Sequence, residues 1–155
     1  MKLERINGKS IDLVFKRESI GATGVPKEMS VPVNHYDIVL HNTDTVVGEI
    51  NARFGYNEFL YYGGHIGYEI NEKYRCKGFA TEAVELLKQV FLAKGMNNIY
   101  ITQSPENIAS KRICEKVGAK FIELAELPLD NNMRIERGET HKNIWELKFG
   151  ETNAN

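Results

Sequence analysis

The chain has 155 residues, 42% of them hydrophobic, with 20 basic and 21 acidic side chains and a formal net charge of −1. That length suffices for one domain with a full core. The balanced charge excludes a strong general attraction to nucleic acid, and no run approaches the ~20 apolar residues of a membrane helix.

The start, Met1-Lys2-Leu3-Glu4-Arg5, is charged and lacks the apolar run of a signal peptide, so a cytoplasmic protein without membrane contact is expected. In chain order, Ser10 to Glu18 sets Ile11, Leu13 and Phe15 against Asp12, Val14 and Lys16 and predicts a first strand. Gly21 to Asn34 carries two Gly and two Pro and predicts a loop. Tyr36 to His41 and Thr45 to Phe54 read as a hairpin turning at Asn42-Thr43-Asp44. Gly55 to Gly64 is an aromatic loop with Tyr56, Phe59, Tyr61 and Tyr62, and His65 to Ile70 is the next strand.

A helix follows from Phe79 to Lys94, with Ala80, Ala83, Val84, Leu87, Val90 and Phe91 on one stripe and Gly95 as its stop. Asn98 to Thr102 is a buried strand. A second helix starts around Ser104-Pro105-Glu106-Asn107, with Pro105 in the first turn, Ala109, Ile113 and Val117 facing the core, and Gly118 at the end. Phe121 to Leu127 and Asn143 to Phe149 close the fold, flanking a polar loop with Arg134 and Arg137. The chain reads as a single domain over residues 1–155, with 150–155 a frayed tail.

The most chemically specific stretch is Arg75-Cys76-Lys77-Gly78-Phe79-Ala80, between a strand and a helix. The first backbone N–H groups of a helix lack internal partners, and the helix dipole favours an anion there. Gly78 permits close approach, while Arg75 and Lys77 add charge. The competing reading is a plain strand-to-helix turn that binds nothing. The longer phosphate motifs, Gly-x-x-x-x-Gly-Lys-Ser/Thr and Gly-x-Gly-x-x-Gly, are absent. Lys111 and Arg112 extend a local basic patch. Cys76 and Cys114, like His35, His41, His65 and His141, lack metal-ligand spacing, so no metal and free thiols are expected.

Beyond Arg-x-x-Gly-x-Ala come Asn107-Ile108-Ala109-Ser110 and Cys114-Glu115-Lys116-Val117-Gly118-Ala119-Lys120-Phe121. This order resembles the GCN5-related N-acetyltransferase (GNAT) superfamily over roughly Gly64 to Phe121, and the Gly64-His65-Ile66-Gly67-Tyr68 run resembles a bacterial branch of it. The resemblance implies an α/β (α+β) fold. Its sheet is mixed, mostly antiparallel and of about six or seven strands, with two main helices. Gly21 to Asn34 is too short for the two N-terminal helices usual in the family, so these are abbreviated, which leaves the acceptor open.

The implied activity is transfer of acetyl from acetyl-CoA directly to a primary amine on a small molecule or peptide. A CoA-binding sensor of the same fold, and a phosphate-binding scaffold without CoA, are the alternatives. The resemblance carries over Glu69 and Ile70 as backbone partners of pantetheine. Arg75, Lys77, Gly78, Phe79, Ala80 and Thr81 would hold the pyrophosphate, and Asn107 and Ser110 are further contacts. His65 is the leading candidate base, with Glu69 acting through water as its rival, and each has a purely structural or solvated alternative. The family's Tyr, seven residues after the helix-opening Asn, is replaced by Cys114, leaving Ser110 to meet the sulfur or merely to cap the helix. Tyr61, Tyr62 and Tyr68 either line the acceptor mouth or pack as strand residues. A homodimer stays open.

Overall fold

The computed structural model describes residues 4–21 and 25–149; the 150–155 tail lies outside them. Five strands, β1 (Arg5–Asn7), β2 (Ile11–Ile20), β3 (Pro32–Leu40), β4 (Val46–Arg53) and β5 (Ile66–Ile70), form one antiparallel sheet in sequence order. Three more, β6 (Asn98–Gln103), β7 (Lys120–Glu126) and β8 (His141–Lys148), form a second antiparallel sheet in the order β6-β8-β7. The helices are α1 (Glu58–Gly63), α2 (Phe79–Ala93), α3 (Ile108–Lys116) and α4 (Asn132–Arg137). The α/β class and the two main helices are as the sequence predicts. The strands number eight among the described residues and lie in two sheets, because β5 and β6 do not pair.

Alternation and helical periodicity build the core from both sides. Ala80, Ala83, Val84, Leu87, Val90 and Phe91 of α2 are all buried, the stripe read from spacing. Against them pack Ile11, Leu13, Tyr36, Ile38, Ile50, Ile66 and Ile70. Each large aliphatic side chain buried this way contributes about 1.5–3 kcal/mol. Asp12 breaks the pattern: it is fully buried between Ile11 and Leu13. It accepts from Arg5 Nε and Nη2, His41 Nδ1 and the Gly8 and Asn42 amides. Burial alone would raise its pKa, but those donors outweigh it and hold the carboxyl below the usual range. One buried carboxylate thus ties β1 to the turn after β3.

Local chemistry moved several boundaries. The Gly55–Gly64 segment contains α1, because Asn57 Oδ1 accepts the Leu60 N–H at 3.0 Å and starts a helix there. The polar loop around Arg134 contains α4, capped by Asn131 onto the Met133 N–H. Among the described residues between β2 and β3, one 3-10 turn forms, at Lys27–Met29. Helix α3 begins after Asn107, not at Pro105, because Asn107 Oδ1 caps the Ser110 N–H at 3.1 Å. It buries Ser110, Cys114 and Val117, while Ala109 is exposed. A serine faces inward here because partners for its hydroxyl are present.

Candidate active site

The two sheets meet backbone to backbone at His65 and Tyr100, and β5 and β6 do not pair beyond that point. The His65 N–H donates to the Tyr100 carbonyl at 2.8 Å, joining the start of β5 to β6. The Tyr100 N–H donates back to His65 Nδ1 at 2.9 Å. An acceptor Nδ1 places the proton on Nε2, which donates to the Gly55 carbonyl at 2.7 Å. The ring stacks on Tyr100 and meets Tyr56 and Phe91 edge-on. Burial, then Arg53's charge, lowers its pKa below the ordinary imidazole value, so it stays neutral. His65 is 0% exposed with both nitrogens engaged, which leaves no lone pair for an amine. In this geometry His65 joins the two sheets and turns no free nitrogen outward.

A second junction crosses the gap farther along. Trp145 Nε1, which can only donate, gives its proton to Gln103 Oε1 at 2.7 Å. That fixes the Gln103 amide, whose Nε2 donates to Ser110 Oγ at 3.3 Å and Cys114 Sγ at 3.4 Å. Ser110 Oγ in turn lies 2.7 Å from the Tyr68 hydroxyl. Ser110 Oγ accepts from Gln103 and keeps both a proton and a second lone pair, so it can donate to the Tyr68 hydroxyl or accept from it. Burial, partly offset by the Ser110 bond, pushes the Tyr68 phenol up to about 12, so it acts as a donor rather than an ion. Burial also pushes Cys114 up to about 11, which makes it inert at neutral pH.

At the open end of β5 lies the turn into α2. Gly78 is the helix N-cap with φ 82°, and no side chain caps it. A Cβ added at Gly78 would meet nothing within 4 Å. The amides of Phe79, Ala80 and Thr81 are the orphan donors of this helix start, and Lys77 and Gly78 are exposed beside them. Cys76 is also left-handed, at φ 64°. Arg75 bends back onto β5: Nε donates to the Ile70 carbonyl at 2.8 Å, and Nη2 lies 3.9 Å from Glu69 Oε2. Its remaining donors stay exposed.

The predicted residues therefore fall into groups. Glu69, Ile70, Arg75, Lys77, Gly78, Phe79, Ala80 and Thr81 follow one another along the end of β5 and the start of α2. Ser110 sits deeper, under Tyr68, and Asn107 is occupied as a cap. Glu69 is exposed while His65 is sealed, so the two do not share an open face. Tyr61 is drawn off by a hydrogen bond to Glu123 and packs on Tyr62 and Tyr100. Gln103 was missed, and Tyr68 was weighed only for the acceptor mouth and not as the partner of Ser110. The signal for them was the Tyr68 phenol on the predicted cofactor strand, opposite the helix that lacks the usual Tyr.

On the other side of the junction is a cavity of about 220 Å³ that reaches Gly64 and Thr102. Gly64 is pressed against β6: an added Cβ would lie 3.3 Å from Thr102 N and the Tyr100 carbonyl. Arg53 lines this cavity, with Nη1 donating to the Gly63 and Gly64 carbonyls at 3.1 and 2.9 Å. Its guanidinium lies against Gly67, where a Cβ would fall 2.6 Å from Nη2. The cavity thus approaches the parting of β5 and β6 opposite Tyr68's strand face.

Residues 16–120 match the family profile described as an acetyltransferase (GNAT) domain. The chain belongs to the GNAT acetyltransferase family. Members of this family use acetyl-CoA as acyl donor. The uncharacterized N-acetyltransferase YnaD of Bacillus subtilis (strain 168) is 31% identical over 111 residues, 69% of this chain and 61% of that protein. The chain thus spans about three fifths of that relative's length. Among solved structures, a GNAT-family acetyltransferase from Bacillus anthracis is 26% identical with a TM-score of 0.57, over 76% of this chain and 67% of the other. A probable GNAT-family acetyltransferase from Chromobacterium violaceum ATCC 12472 shares 14% identity at a TM-score of 0.66, over 94% and 86%; that likeness concerns the fold. Among the described residues no cluster of His, Cys, Asp or Glu could hold a metal ion, and no helix is long and apolar enough to cross a membrane.

Proposed function

We propose that this GNAT-family chain is an acetyl-CoA-dependent N-acetyltransferase acting on a primary amine. The observation that carries the reading is the parting of β5 from β6 beyond the His65–Tyr100 latch, with the uncapped start of α2 at the open end. The free edge of β5, with the outward-facing backbone of Tyr68 and the Ile70 N–H, offers groups to an extended ligand, while Glu69 pairs with Glu49 of β4 and the Ile70 carbonyl holds Arg75 Nε. The amides from Lys77 to Thr81, with Lys77 and Arg75, suit a pyrophosphate. Bound there, acetyl-CoA supplies an acyl group activated as a thioester.

The chain's own residues then have three tasks. The amine must be neutral to attack; a new C–N bond forms, the C–S bond breaks, and the amine proton leaves to water. Glu69, exposed on β5, is the remaining candidate to hold that water. Tyr68, joined through Ser110 and Gln103 to Trp145, would give its O–H to the departing sulfur when Ser110 donates to it. This phenol from a strand takes the place of the helix Tyr that Cys114 replaces. A thiolate of ordinary pKa, ~8.5, needs a hydrogen bond more than a full proton. Neither thiol takes part: Cys114 is buried and held protonated, and transfer is direct.

The test is CoA release, followed with a thiol reagent, over a panel of amino acids, polyamines and peptide N-termini. Amine-dependent release with a matching acetylated product supports the reading. Tight acetyl-CoA binding without release from any amine would make the chain a CoA-binding sensor instead.

A further inference from the structure

The cavity beside the β5–β6 junction carries an imbalance of charge. Arg53, Arg137 and Lys142 line it, and among the described residues no aspartate or glutamate does. Lys142 is answered by Glu139, at 3.0 Å from Oε1. Arg53 and Arg137 have no carboxylate within ion-pair distance among the described residues. Arg53 uses Nη1 to cap the C-terminal carbonyls of α1, a neutral pairing that leaves its full charge standing. Burial first, and then the charge of Arg137, press its pKa downward. A guanidinium nevertheless stays protonated. Two like charges therefore meet at the cavity, Arg53 desolvated and Arg137 exposed, an arrangement that an anion entering between them would relieve.

Position gives the imbalance its meaning. The same cavity touches Gly64 and Thr102, beside the His65–Tyr100 latch from which β5 and β6 part. About 220 Å³ is room for a group of amino-acid size, on the order of seven waters' share of liquid volume. Its remaining walls are largely apolar, with Val33, Leu60 and Met133 among them. We propose that this cavity is the acceptor site and that the acceptor amine carries a carboxylate, bound by Arg53 and Arg137. The inference rests on the acetyltransferase reading for the word acceptor, but the carboxylate site stands on the cavity itself. Guanidinium forks match a carboxylate's paired oxygens, and charge-assisted bonds of this kind discriminate sharply against a neutral amide.

The experiment uses N-acetylglycine and its neutral isostere N-acetylglycinamide, titrated into the full chain and followed by amide NMR shifts of Gly63, Gly64 and Thr102. The carboxylate is expected to bind at least about tenfold more tightly than the amide, as one or two charge-assisted bonds imply. Arg137→Gln, an exposed change at the end of α4, should erase most of that preference while the spectrum stays folded. Equal binding of the two probes, binding of neither, or a preference retained in Arg137→Gln would overturn the proposal. A parallel calorimetric titration with acetyl-CoA separates the two readings. Acetyl-CoA binding without carboxylate preference removes this proposal alone. Carboxylate preference without acetyl-CoA binding keeps the carboxylate site and removes the transferase reading.

Discussion

The two ends of β5 treat their polar groups in opposite ways. At the His65 end the imidazole's two nitrogens and its backbone N–H and C=O are all spent inside the protein, and the side chain is sealed under three aromatic rings. At the far end, the turn into α2 leaves its helix start uncapped and its cations exposed. A residue type does not announce function; unspent hydrogen-bonding capacity does. Histidine has the right ordinary pKa for a base, but where it closes a sheet junction it is structure. Glycine and backbone amides carry no side-chain chemistry, yet at the start of α2 they are left without a side-chain cap.

This contrast can be broken most forcefully at the latch. His65→Ala removes a buried ring and strands the Tyr100 N–H and Gly55 carbonyl, so unfolding free energy should fall by about 3–5 kcal/mol in urea titration. The less disruptive His65→Gln should keep kcat within about threefold of the wild type, since no proton transfer is lost. A folded His65→Gln with normal stability and a collapse in kcat would restore His65 as the base.

Replacing the Tyr68 hydroxyl tests the gap between the two ends. Tyr68→Phe should lower kcat about tenfold, the worth of one hydrogen bond to a charged group, and leave acetyl-CoA affinity within about twofold. A change confined to affinity would place the phenol in binding rather than in the departure of sulfur.

The smallest expected effect is a pH slope. The His65 pKa is lowered on folding, and so is that of His35, by burial first and then by Arg17. Below the unfolded value of ~6.5 the unfolded chain takes up protons that the folded chain refuses. Their contribution is therefore complete above that pH and declines as pH falls through it toward the folded values. Stability measured from about pH 7.5 to about pH 5.5 should fall, and His65→Gln should flatten part of that slope. An unchanged slope would mean the imidazole is not held neutral.

Local patterns were legible because their causes are local. The α2 stripe, its arrest near Gly95 and the Gly78 turn follow from helical period and backbone freedom within a few residues. The cap at Asn107 was legible too, though Pro105 drew the helix start too early. What escaped was non-local. His65 meets Tyr100 across 35 positions, and Tyr68 meets Ser110 across 42; no spacing rule advertises such pairs. The division of the strands into two sheets escaped because β5 and β6 each keep the marks of a strand whether or not they pair. β1 escaped because three residues, only the middle one buried, are too few to show alternation. Arg53 escaped because its importance lies in the absence of a carboxylate around it.

The central claim is that binding capacity resides in the turn into α2, and calorimetric titration of acetyl-CoA into Gly78→Val tests it most directly. The left-handed φ of 82° and the open space before Gly78 mean that valine strains the turn and stands where a phosphate approaches. Strain should cost about 1–2 kcal/mol, which lowers the melting temperature but leaves the domain folded by circular dichroism. Acetyl-CoA affinity should drop at least about a hundredfold, while folded His65→Gln keeps its affinity within about twofold of the wild type. A folded Gly78→Val that binds acetyl-CoA as the wild type does would contradict the account.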